Sequence, residues 1–75
     1  MNPTTTDPIP EAADPEARML SAGFSSPEEV AALAIAVCSH LKTSLELPAE
    51  ARRRYAIAQT NLETGLLWLE YARKV

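Results

Sequence analysis

The chain has 75 residues, of which 47% are hydrophobic and only 5% aromatic, and its formal net charge is -3. That length allows one domain at most, and the shortage of aromatic residues favours an all-α fold over a sheet. The acidic balance argues against a polymeric nucleic acid partner and disfavours a DNA-binding regulator, because such proteins need a basic surface. With one cysteine and one histidine, neither an internal disulfide nor a zinc site is expected, and no cofactor is indicated.

Two features of the sequence bear on where the protein resides. The longest uninterrupted apolar run covers residues 30–38, whereas about 20 residues are needed to span a bilayer. The N-terminus has no basic stretch followed by an apolar one, so no secretory signal is recognised. We therefore expect a soluble, cytoplasmic protein with no membrane partner.

The first elements in chain order are a tail and a short helix. Residues 1–15 are rich in proline and threonine and have no apolar period, so we expect this segment to be extended or disordered. Residues 16–75 then form the domain. Its first helix is predicted over residues 16–21, with Asp14 as the N-cap and Gly23 as the terminator.

The next helix is predicted over residues 27–45. Ser26 can cap it, Pro27 suits its first position, and Glu29 completes a capping box. Its apolar residues form two faces instead of one stripe: Val30, Leu33 and Val37 mark one, and Ala31, Ala34, Cys38, Leu41 and Leu45 mark the other. A helix that is apolar over most of its circumference is buried on most sides. One partner helix cannot cover it, so we expect a homo-oligomer.

The last helix is predicted over residues 48–74, with Pro48 in its first position, and should complete an antiparallel helical hairpin. Small or apolar residues recur on one face at alternating steps of three and four: Tyr55, Ala58, Leu62, Gly65, Leu69 and Ala72. A glycine inside a helix costs about 1 kcal/mol relative to alanine. Gly65 therefore predicts that another group approaches the backbone of this face closely.

Polar side chains offer several candidates for ligand contacts. Arg53 and Arg54 belong to a run of three arginines that is either a solvated surface or a phosphate clamp, since guanidinium groups bind phosphate through paired hydrogen bonds. Thr60 lies in a polar band that either contacts a ligand or forms the exposed side of the helix. His40 and Lys42 add potential positive charge near the end of the preceding helix.

Catalysis is improbable for this sequence. It contains no carboxylate pair, Gly-rich phosphate loop or nucleophile motif, and His40 has no Ser or Cys partner at motif spacing. Cys38 lies in an Ala-rich apolar run and is expected in the core. Trp68 and Tyr71, three residues apart, are expected to pack at an interface and not to stack on bases.

The last helix carries an apolar pair, then Thr, then Leu-Glu, a small residue and an apolar cluster that ends in Trp. These residues are Ile57, Ala58, Thr60, Leu62, Glu63, Gly65, Leu66, Leu67 and Trp68. This order resembles the second hairpin helix of a phage anti-defence sponge family, the helical hairpin domain of anti-CBASS protein two and Thoeris anti-defence protein one. Members of that family tend to have Leu-Gln or Leu-Glu after the Thr, and Met or Trp in the apolar cluster. Gly23, Phe24 and the capped helix start at residues 26–30 resemble the Gly-Tyr turn of the family.

The resemblance implies a compact homo-oligomer, commonly a hexamer, that binds cyclic nucleotide immune signals without cleaving them. Cyclic dinucleotides, cyclic trinucleotides and cyclic ADP-ribose variants are all bound within the family. By position, Phe24 would replace the ring-stacking tyrosine and Thr60 would match the threonine of the second helix. Ser25 stands where the family usually has arginine, and the family's lysine on the first long helix has only His40 and Lys42 nearby.

Two hypotheses of different classes follow from these observations. The first is a phage or prophage sponge that sequesters a cyclic nucleotide in the cytoplasm of the host bacterium, with Phe24, His40, Lys42, Arg53, Arg54 and Thr60 as its ligand-binding residues. The alternative is a small helical structural or protein-binding module without a small-molecule ligand, because such a module explains the apolar faces equally well.

Overall fold

The computed structural model describes residues 14–75, which are all-helical apart from caps and turns. Three helices follow one another: α1 (Pro15–Ser21), α2 (Pro27–Leu41) and α3 (Ala49–Arg73). The tail predicted over residues 1–15 falls almost entirely outside the described residues. Its last residue, Pro15, is the first residue of α1, where its fixed φ suits a helix start.

Both ends of α1 are closed by local hydrogen bonds. The Asp14 carboxylate accepts from the Glu16 amide at 3.1 Å. At the other end Gly23, with a φ of 95°, donates to the Leu20 carbonyl at 3.0 Å, and the Phe24 amide donates to the Met19 carbonyl at 3.1 Å. This pair of bonds is a Schellman motif, which needs a left-handed residue at the position of Gly23.

The start of α2 is capped from two directions. Ser26 is the N-cap, and its hydroxyl accepts from the Glu29 amide at 3.3 Å. The Glu29 carboxylate accepts in return from the Ser25 amide at 2.7 Å, one residue before the position that a standard capping box uses. Pro27 occupies the first helical position, where no amide hydrogen is needed.

We expect Ser26→Ala to lower the free energy of unfolding by about 1 kcal/mol, because the substitution leaves the Glu29 amide without its side-chain acceptor. Urea denaturation followed by circular dichroism measures the change. Ser25→Ala is the matched control, since only the Ser25 backbone takes part in the cap. Equal losses in the two variants would contradict a capping role for the Ser26 hydroxyl.

The prediction that α2 continues to residue 45 is wrong, because the helix ends at Leu41 with Lys42 as its C-cap. Thr43 donates from its hydroxyl to the His40 carbonyl at 3.0 Å and from its amide to the same carbonyl at 3.3 Å. Hydrogen bonds of this local kind compete with continuation of the helix. As a result Leu45 lies in the turn, 86% exposed, and does not extend an apolar face of α2.

Helix α3 begins at Ala49, one residue later than predicted, and Pro48 is its N-cap with extended backbone angles. It ends at Arg73, with Lys74 as the C-cap. Helices α2 and α3 pack against each other. An ion pair of 3.0 Å between Arg73 and Glu28 joins the last turn of α3 to the first turn of α2.

The packing of α2 against α3 leaves much apolar surface uncovered. One face of each helix is half-buried, with Ala31, Ala34, Cys38 and Leu41 on α2 and Tyr55, Ala58, Leu62 and Leu69 on α3. The other predicted face of α2 is exposed, by 39% at Val30, 51% at Leu33 and 46% at Val37. Among residues 14–75, no side chain is fully buried. The described part of the chain therefore has only a thin core.

No other element of the described chain packs closely against Gly65. A Cβ atom placed there would meet no atom within 4 Å, so the expected tight contact is not made by α1 or α2. Trp68 and Tyr71 lie on the exposed side of α3, with ring centroids 5.6 Å apart in an edge-to-face arrangement. They are 67% and 56% exposed.

Candidate functional site

Four of the candidate residues lie on either side of the turn between α2 and α3, at the end of the molecule where α2 leads into α3. His40 and Lys42 lie at the end of α2, and Arg53 and Arg54 lie in the first two turns of α3. The Arg73–Glu28 ion pair joins the other ends of the two helices, and residues 42–48 connect the end of α2 to the start of α3. Of the run of three arginines, Arg52 is half-buried whereas the other two are exposed.

Phe24 is not part of this end of the molecule. It precedes α2, and the length of that helix separates it from Lys42 by about 24 Å along the axis. It is half-buried and lines a shallow cleft of about 290 Å³ together with Met19 and Val30. Its amide also closes the Schellman motif of α1. Within one chain, Phe24 thus helps to close α1 and lies far from the arginines.

Glu50 joins the two exposed arginines, a partnership that the sequence reading missed. Its carboxylate accepts two hydrogen bonds from Arg53, from Nε at 3.2 Å and from Nη2 at 2.8 Å. It accepts a third from Nε of Arg54 at 2.9 Å. The bond to Arg53, and then the bond to Arg54, holds the pKa of Glu50 below its ordinary value. The signal in the sequence is the spacing, since an acid three and four residues before two arginines shares their helix face.

Beside Arg54 there is an open apolar cleft of about 300 Å³ on the flank of α3. It is lined by Ala51, Arg54, Tyr55 and Ala58. The volume is at the lower end of the range for small-molecule sites. Two alanines and the half-buried Tyr55 ring give it a largely apolar surface, and the guanidinium group provides a charged edge. Such a combination can hold a flat ring next to an anionic group.

Thr60 follows Arg53 by two helical turns, about 10 Å along α3 on the same exposed face. Its hydroxyl donates to the Ala56 carbonyl at 3.3 Å, and that of Thr64 donates to the Thr60 carbonyl at 3.2 Å. The hydroxyl hydrogen of Thr60 is therefore engaged, and its oxygen can still accept a hydrogen bond. A donor such as an exocyclic amino group would suit this oxygen.

Among residues 14–75, no three His, Cys, Asp or Glu side chains come together as a set of metal ligands. No helix in the same range is long and apolar enough to cross a membrane.

Comparison with known proteins found no match to this chain among family models, curated proteins or solved structures.

Proposed function

We propose that this chain is a phage or prophage anti-defence sponge that binds and sequesters a cyclic nucleotide immune messenger without cleaving it. The ligand class comprises cyclic dinucleotides, cyclic trinucleotides and molecules of the cyclic ADP-ribose type. The main supporting observation is that the exposed guanidinium group of Arg54, which shares Glu50 with Arg53, lines an apolar cleft at the start of α3. Guanidinium groups suit phosphates and the cleft suits a base, so the two features match the two halves of a nucleotide.

The roles of the residues follow from their chemistry. Arg53 and Arg54 bind phosphate oxygens, with Lys42 and His40 contributing from the end of α2. Tyr55, which the sequence placed in the packing of the helices, contacts the base at the cleft. Thr60 accepts a hydrogen bond from the ligand. Phe24 can join this site only from a neighbouring copy, because its own chain holds it at the far end of α2.

We further propose that α2 and α3 form an antiparallel hairpin that homo-oligomerises, with a hexamer favoured by the resemblance. Two observations support this. A second copy would cover the exposed apolar residues of α2, and it could pack closely against α3 at Gly65, where the space is empty. A cleft of about 300 Å³ is also too small to enclose a cyclic dinucleotide alone. Contact with another copy would complete it. The host bacterial cytoplasm, where such messengers act, is the proposed location.

Native mass spectrometry of the purified protein tests this function. The protein is measured alone and with mixed cyclic di- and trinucleotides and cyclic ADP-ribose isomers. We expect an oligomer that carries whole-number additions of one nucleotide mass. A ligand at 100 times its dissociation constant should also stabilise the fold by about 2.7 kcal/mol in thermal denaturation. An unchanged mass and an unchanged melting temperature across the panel would reject the sponge function.

The second candidate is a structural or protein-binding helical module. It is favoured by the pairing of both arginines with Glu50, because these side chains already have a structural partner. An unliganded oligomer in the same mass spectra would support this candidate. A monomer would contradict the sponge function and the expectation that a second copy covers the apolar face of α2.

A further inference from the structure

The Glu50 carboxylate occupies the place at which Arg53 and Arg54 would hold an anion. Arg53 directs both Nε and Nη2 at it, and Arg54 directs its Nε at the same oxygen that Nη2 contacts. Side-chain exposures of 53% for Glu50, 62% for Arg53 and 73% for Arg54 leave the cluster open to solvent. An incoming ligand can therefore reach all three groups.

A carboxylate and a phosphate compete for the same donors of a guanidinium group. Both present two oxygens to the planar fork formed by Nε and one Nη atom. In Arg53 that fork is fully used by Glu50. A phosphate that binds Arg53 in the same manner must first displace the carboxylate, and the displaced charge then remains nearby and repels the ligand.

We infer that Glu50 is an internal competitor that lowers the affinity of the Arg53–Arg54 pair for phosphate-bearing ligands and is displaced when one binds. The inference uses the proposed function only to name a cyclic nucleotide as the natural anion. The competition itself concerns any phosphate. Its consequence in a cell is that weakly bound anions do not occupy the arginines, whereas a ligand with further contacts in the cleft can displace Glu50.

The decisive variant is Glu50→Gln, which keeps the size and the acceptor oxygen of the side chain but removes its charge. Inorganic pyrophosphate is titrated into the full-length protein, and the arginine Nε–H signals are followed by NMR. We expect Glu50→Gln to bind pyrophosphate about three- to tenfold more tightly than the original protein, from the Coulomb repulsion of neighbouring charges in water. Glu50→Ala provides the same charge change if the glutamine variant folds poorly.

The matched control is Glu63→Gln, which changes the net charge equally. Glu63 is exposed, bonds Gln59, and lies about 20 Å further along α3, beyond the screening length of about 8 Å at physiological salt. We expect no change in pyrophosphate affinity for this variant. Adding Arg53→Ala and Arg54→Ala to Glu50→Gln should abolish the response.

Three results would overturn the competition: an affinity in Glu50→Gln equal to or below that of the original protein, an equal gain in Glu63→Gln, or no response of Glu50→Gln to millimolar pyrophosphate. The proposed function is judged separately with cyclic nucleotides. If these fail to bind while Glu50→Gln gains pyrophosphate affinity, the sponge function fails and the competition stands. If cyclic nucleotides bind and Glu50→Gln gains nothing, the opposite holds.

Discussion

Replacing Arg53 and Arg54 together by alanine is expected to weaken cyclic nucleotide binding at least 100-fold while leaving the oligomer intact. Each lost hydrogen bond to a charged group is worth about 1.5–3 kcal/mol, and two such losses correspond to about two to four powers of ten in the dissociation constant. The side chains are 62% and 73% exposed and pair only with Glu50 of the same helix among the described residues. Their loss therefore removes little packing.

Isothermal titration calorimetry with the ligand identified by mass spectrometry measures this loss, and sedimentation checks the oligomer. Lys74→Ala is the control, because it removes an exposed positive charge about 30 Å away along α3 without removing the Arg73–Glu28 ion pair between the helices. We expect it to bind ligand as the original protein does. Unchanged binding in the double variant would remove both arginines from the site, and dissociation of the oligomer would make them structural.

Helix starts in this chain could be predicted from short-range signals, and one helix end could not. Asp14 and Ser26 cap α1 and α2 as expected, because an N-cap depends on residues within three positions of it. The end of α2 depends on a competition between two structures: a longer helix, or the hydrogen bond from the Thr43 hydroxyl to the His40 carbonyl. Because Leu45 is apolar, the sequence favoured a helix that continues to this residue. Leu45 is 86% exposed, however, so its burial does not stabilise a longer helix.

The candidate site was predicted only as a set of residue types. The sequence indicated that guanidinium groups could bind phosphate, but whether they are neutralised depends on rotamers that bring Glu50 to both of them. Phe24 was assigned to the ligand by resemblance, whereas tertiary placement puts it beside Met19 at the other end of α2. The cleft at Tyr55 and Ala58 is a matter of shape, which the spacing of apolar residues does not specify.

The exposed apolar face of α2, formed by Val30, Leu33 and Val37, connects the stability of the chain with the proposed assembly. Leu33 lies between Val30 and Val37 on a face that α3 does not cover, and it is 51% exposed. Fully burying a leucine side chain stabilises a protein by about 1.5–3 kcal/mol relative to leaving it exposed. A chain of 75 residues has few other sources of stability. If a second copy covers this face, Leu33 contributes to both folding and assembly.

We therefore expect Leu33→Gln to dissociate the oligomer and to lower the free energy of unfolding by about 2–3 kcal/mol, since the amide must lose water on entering the interface. Sedimentation velocity measures the assembly, and urea denaturation at fixed protein concentration measures the stability.

Leu45→Gln is the matched control: the same substitution at an 86% exposed turn residue should change the stability by less than about 0.5 kcal/mol. In a monomer, the two substitutions would be equally mild because solvent would surround both side chains. Equal effects would therefore show that Leu33 faces water and that the α2 face is not an interface between copies.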